Sequence, residues 1–125
     1  MANDNSMTND RNPKYDLEES TAQFGEAVIY LSKSVKQTFV NKPVINQLIR
    51  SATSVGANYI EADVAESKTD FRHKIGICKK EAKETLHWLR MLSRAAPEKQ
   101  TECRKLWREA HELLLIFSAI VKRKY

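Results

Sequence analysis

From Cys103 to Ile120 the apolar residues Cys103, Leu106, Ala110, Leu113, Phe117 and Ile120 recur at spacings of three and four without a break. An α-helix turns every 3.6 residues, so this repeat lays one continuous apolar stripe along a helix; a strand would need a period of two. Trp107, Leu114 and Val121 widen the same face. Three further segments carry the signature. Leu17, Phe24, Val28, Leu31 and Val35 predict a helix from about Leu17 to Phe39. Ile45, Leu48, Ala52, Val55 and Tyr59 predict a second, ending near Val64, with a parallel seam of Ile49, Gly56 and Ile60 that implies contact with two neighbours. Phe71, Ile75, Cys78, Ala82, Leu86 and Leu89 predict a third from about Thr69 to Arg94. No segment has the strand period.

The breaks between these segments have local causes. Asn41-Lys42-Pro43 separates the first two helices, and Pro43 suits a first helical turn, where its missing N–H would have no partner anyway. Ser67-Lys68-Thr69-Asp70 approximates a capping box at the start of the third helix. Ala95-Ala96-Pro97 makes a short turn, Glu98 opens the fourth helix against its dipole, and Lys122-Arg123-Lys124 suits its C-terminus. Gly25, inside the first helix, permits close approach of a neighbour. Four helices with connections of two to five residues predict an all-α, antiparallel, up-down-up-down four-helix bundle. The Asn/Asp-rich residues 1–14 read as a disordered tail, and 15–125 as a single bundle domain.

Nothing in the chain approaches the 18 or so consecutive apolar residues of a membrane span, and the first residues lack both parts of a secretion signal. A cytoplasmic protein without membrane partners is expected. Charge is segregated: residues 1–66 hold six Lys and Arg against nine Asp and Glu, a net of −3, whereas residues 67–125 hold fifteen against seven, a net of +8. The basic half favours polyanions, although the same excess also serves solubility. Cys78 and Cys103 fall on apolar helical positions and read as buried, reduced thiols.

Four constellations carry candidate chemistry. Arg72, Gly76, Lys79, Lys83, His87, Arg90 and Arg94 share an arc of roughly 80° on the third helix. Its five cations, Arg72, Lys79, Lys83, Arg90 and Arg94, match a nucleic-acid backbone, and a solvated bundle face would look the same. No stacking platform accompanies the stripe, so backbone contacts should outweigh base readout. On the opposite flank Ile77, Glu81, Glu84, Trp88 and Met91 lie together; Ile77, Trp88 and Met91, with Leu115 on the fourth helix, are candidate oligomer contacts, unless the core is wider than the helical wheel suggests. Glu84 and His87 form one E-x-x-H, where carboxylate-bridged bundle sites need two, and His73 and His111 complete no set, so no metal or cofactor is expected. Arg50, Ser54, Asn58 and Glu61 step along one face of the second helix and, with Glu84 and a cation of the third, suit a polar network between helices. No nucleophile–base pair and no Gly-rich phosphate loop is present, so no catalytic residue is expected.

The pattern Arg50-x-x-x-Ser54-Val55-x-x-Asn58-x-x-Glu61, with Ile77-Cys78 and Glu84 in the third helix, resembles the bacterial four-helix bundle proteins encoded by intervening sequences within 23S rRNA genes. The likeness covers about residues 17–122. Ala62 stands where that family commonly has glycine, and Lys79-Lys80-Glu81 where many members have a Gly-Ser pair. The resemblance implies a four-helix protomer, often assembled as a ring-like homopentamer, without enzymatic activity. It also implies a fold similar to the accessory variability proteins of diversity-generating retroelements, basic pentamers that bind nucleic acid and a reverse transcriptase. The expected function is therefore homo-oligomeric binding of RNA or DNA through the basic face, the alternative being assembly with another protein.

Overall fold

The computed structural model describes residues 16–124, with the side chains of Arg123 and Lys124 excepted. The predicted tail over residues 1–14 lies outside the described residues. Four helices follow in order: α1 (Leu17–Ser34), α2 (Asn41–Asp63), α3 (Lys68–Ala95) and α4 (Gln100–Lys124), the last entered through a single 3₁₀ turn, Pro97–Lys99. The described residues form no strand. None of these helices is long and apolar enough to cross a membrane.

The starts of α1 and α3 are capped by side chains visible in the sequence. Asp16 accepts a hydrogen bond from the Glu19 N–H at 3.3 Å, and Glu18 and Glu19 place negative charge in the first turn of α1. The Ser67 hydroxyl accepts from the Asp70 N–H at 3.0 Å, which is the forward half of the capping box. Helix α1 stops at Ser34, five residues short of the predicted end. Val35 turns extended and buries its side chain in the core. The following residues then build their own turn: Thr38 Oγ1 accepts from the Asn41 N–H at 2.9 Å, and the buried Asn41 amide donates to the Lys36 carbonyl at 3.0 Å. These bonds satisfy backbone groups that an extended α1 would have used, and Val35, Thr38 and Val40 are β-branched residues that gain little from a helix.

One core holds the elements together. Leu48 and Val55 from α2, Ile75 and Leu92 from α3 and Phe117 from α4 are fully buried, joined by Phe24 and Val28 from α1. At about 1.5–3 kcal/mol for each large apolar side chain, this stripe-to-stripe burial is the main term favouring the fold. Helix α3 packs along both α2 and α4, while α1 leans mainly on α2 and touches α4 lightly. Where α1 meets α2, a Cβ at Gly25 would sit 3.7 Å from Thr53 Cα, an ordinary contact. The tighter crossing falls at Gly56, where a Cβ would come within 3.3 Å of Thr21 Oγ1. Packing α3 between two neighbours has a consequence for its sides: its buried arc is broad, and only one arc is left for charge.

Candidate nucleic-acid interface

The solvent arc of α3 is the basic stripe. Arg72, Lys79, Lys83, Arg90 and Arg94 are all exposed, as are Gly76 and His87 among them. At 1.5 Å per residue the stripe from Arg72 to Arg94 is about 33 Å long. No carboxylate pairs with Lys79, Lys83, Arg90 or Arg94 among the described residues. Arg104, Arg108 and Lys122 are exposed on α4 and extend the positive surface.

At the C-terminal end of the stripe the surface is concave. Arg90, Met91, Ser93, Arg94 and Gln100 line a hollow of about 330 Å³, and Leu89, Arg90, Ser93, Cys103, Arg104 and Trp107 line another of about 230 Å³. Arg90 and Ser93 line both, so the two hollows adjoin along a groove between the end of α3 and the start of α4. Trp107 was expected to widen the core face of α4, and Leu114 and Val121 do pack against the core. Trp107 instead stays 38% exposed. It lies about 90° from the centre of the apolar stripe, further than either of the other two, and so falls at the rim. An aromatic ring therefore does accompany the basic stripe, contributed by the neighbouring helix.

The polar residues of α2 separate into three contacts. The Arg50 guanidinium reaches across to α3, pairing with the half-exposed Glu84 and, at 3.4 Å, with Glu81. Asn58 donates within its own helix to the Ser54 carbonyl at 2.9 Å and hydroxyl at 3.1 Å. Glu61 accepts from Lys74 of α3 at 2.5 Å, a hydrogen bond that raises the Lys74 pKa above its ordinary value. Two polar contacts that the sequence reading missed lie deeper. Glu81, assigned there to an outer flank, is 6% exposed between α2 and α3, and the buried Thr85 hydroxyl donates to Ser51 Oγ at 2.9 Å. The Glu81–Thr85 spacing of four residues, opposite Arg50 and Ser51, was the available signal.

The other members of that flank are half-buried: Trp88 packs against the core, its Nε1–H buried without an acceptor among the described residues, and Ile77 and Met91 are partly covered. Leu115 is 56% exposed. Tyr30, Phe39, Val40 and Val64, on α1 and at the ends of α2, are also exposed. Ile60, placed by its spacing in a second packing seam of α2, is 52% exposed rather than covered by a neighbour.

The arrangement offers little to covalent chemistry. Burial pushes the Cys78 thiol up to about 12 and Cys103 to about 11, so neither supplies thiolate near neutral pH. Cys78 Sγ donates to the Val55 carbonyl at 3.5 Å, as a core thiol does. Among the described residues no three His, Cys, Asp or Glu side chains gather closely enough to hold a metal ion.

Residues 14–119 match the sequence family described as 23S rRNA-intervening sequence protein. A comparison with curated proteins yields no match. Among solved structures, the chain is similar to a protein of unknown function from the S23 ribosomal protein family of Bacteroides thetaiotaomicron. The two share 30% sequence identity with a TM-score of 0.73 over 84% of this chain and 97% of that one.

Proposed function

The chain belongs to the 23S rRNA-intervening sequence protein family, and from that premise we propose that it is a non-enzymatic, cytoplasmic bundle that binds RNA or DNA through phosphate contacts. The observation that carries this reading is the run of exposed cations on α3, with no carboxylate pairing Lys79, Lys83, Arg90 or Arg94 among the described residues. The α2–α3 ion pairs and the Thr85–Ser51 bond hold α3 in register, so the stripe is presented by a rigid helix. A similar structure assigned to a ribosomal protein family supports RNA as a target class. On this reading the helices run up-down-up-down and antiparallel, and the protomers close into a ring-like homopentamer that multiplies the basic surface. It shares its fold with the accessory variability proteins of diversity-generating retroelements. Ile77, Trp88, Met91 and Leu115 are its candidate contacts. Charge reversal tests the reading: a K79E/K83E/R90E variant that keeps its helicity should bind a structured RNA or a DNA duplex at least tenfold more weakly. Unchanged binding would remove the stripe from the function.

A second reading, assembly with another protein, is favoured by the apolar surface at Phe39, 95% exposed, and at Val40, Ile60 and Val64. Sedimentation at micromolar concentration tests both associations. A mass of one 14.4 kDa chain would contradict the ring.

A further inference from the structure

The groove between the end of α3 and the start of α4 differs from two other hollows among the described residues. Those beside α1 carry carboxylates, Glu18 and Glu26 in one and Glu109 and Glu112 in the other. The α3–α4 groove has no acidic lining residue: Arg90 and Arg94 come from α3, Arg104 from α4, and none of the three forms an ion pair among the described residues. Arg90 with Arg94 lines one hollow and Arg90 with Arg104 the adjoining one. Guanidinium groups gathered there without a carboxylate repel one another, and an anionic occupant relieves that cost.

Trp107 gives the occupant a second chemistry. His111, one turn further along α4, stacks on its ring with centroids 5.1 Å apart and planes inclined by 13°. The imidazole covers one face of the indole and fixes its orientation, yet the residue remains 38% exposed and lines the groove beside Arg90 and Arg104. A held, flat aromatic among arginines is what an unpaired nucleotide recognises: the base stacks on the ring and the phosphates on either side meet guanidinium groups. Bases inside a duplex are already stacked on each other and offer only their edges, so a ring at the protein surface cannot engage them.

We propose that this groove is a single-strand nucleic-acid site in which an unpaired base stacks on Trp107 while Arg90, Arg94 and Arg104 hold the flanking phosphates. The site rests on the nucleic-acid reading above and sharpens it: the long stripe binds any phosphate backbone, and the groove selects strands with unpaired bases. Ser93 and Gln100 at the same walls add neutral hydrogen-bonding groups without opposing charge.

The test uses the full chain carrying Trp88→Phe, which leaves Trp107 as the sole indole and is first matched to the parent in sedimentation mass and in duplex binding, because Trp88 is a candidate oligomer contact. It is titrated with a single-stranded oligouridine, its deoxythymidine counterpart, and a blunt duplex of equal phosphate number. Stacking should quench the Trp107 emission saturably with either single strand and hardly at all with the duplex; a difference between the two strands identifies the sugar preferred. Trp107→Leu should weaken single-strand binding about tenfold and leave duplex binding and its salt dependence unchanged, and Trp107→Phe should restore most of the loss. If Trp107→Leu binds single strands as well as the parent while salt-dependent binding persists, the groove assignment falls and the phosphate stripe stands. If neither strand nor duplex binds at low salt, both fall together. Equal quenching by a polyglutamate peptide of matched charge would also overturn the proposal, by making the groove an acidic-peptide site.

Discussion

Alanine at Gly76 should stabilise this protein, and alanine at Gly56 should not. Glycine inside a helix costs about 1 kcal/mol relative to alanine, because more backbone freedom is lost on folding. At Gly76, exposed in the middle of α3, an added Cβ would meet nothing within 4 Å, so the full gain should appear. At Gly25 the new methyl would touch Thr53 Cα and Cγ2 at 3.7 Å, an ordinary contact that leaves most of the gain intact. At Gly56 the nearest atoms are Thr21 Oγ1 at 3.3 Å and the Thr21 carbonyl carbon at 3.5 Å. The Thr21 hydroxyl cannot readily yield, since it donates to the Leu17 carbonyl at 2.6 Å and its residue is 2% exposed. Displacing it costs about 1 kcal/mol of hydrogen bonding, which cancels the helix gain. Urea and thermal unfolding followed by far-ultraviolet circular dichroism should therefore rank Gly76→Ala and Gly25→Ala above the parent, by roughly 4 °C per kcal/mol for a domain of this size. Gly56→Ala should fall at or below the parent. A Gly56→Ala protein as stable as Gly76→Ala would refute the close α1–α2 crossing.

The ion pairs of α2 and α3 should differ in weight. Removing the cation with Arg50→Met leaves the nearly buried Glu81 carboxylate without its partner and should cost about 2 kcal/mol, a figure reduced because Arg50 is itself half-exposed. Glu84→Gln, at the exposed partner, should cost less than about 1 kcal/mol in the same urea titration, and equal losses would contradict the burial of Glu81. Both thiols should resist a disulfide reagent at pH 8 until urea unfolds the chain, since burial raises Cys78 to about 12 and Cys103 to about 11 from an ordinary 9.0. Because the folded values lie above the unfolded one, the thiols' contribution to stability is intact below pH 9. It is lost as pH rises from there through 11 and 12, by about 1.4 kcal/mol per pH unit for each thiol that the unfolded chain alone has ionised. Pairing Cys78→Ala with the parent in alkaline urea titrations should show a shallower fall in the variant.

The helices and their buried stripes were legible because a 3.6-residue period survives in the chain whatever packs against it: Leu17 to Val35, Ile45 to Val55 and Cys103 to Phe117 are buried as their spacing requires. What escaped the reading depends on partners outside the local window. The end of α1 is set by Thr38 and Asn41, whose side chains replace helical hydrogen bonds with bonds of a turn. Glu81 looked solvent-facing on a wheel that assumes one buried stripe, whereas α3 lies between two helices and buries a second arc. Trp107 looked like core because an edge position is ambiguous by period alone. Only the neighbouring end of α3 determines that it stands beside Arg90. The cations of the stripe were legible because the remaining arc of α3 is the one free of apolar residues.

The phosphate-binding claim is tested most directly by the salt dependence of binding to one structured RNA and one DNA duplex. Five stripe cations each displacing a counterion predict that log affinity for the duplex falls against log salt with a slope of about −4 to −5. The K79E/K83E/R90E variant should lose about three units of that slope. A slope near zero, or a slope that the variant leaves unchanged, would show that the basic face of α3 is solvated surface and contradict the function proposed for it.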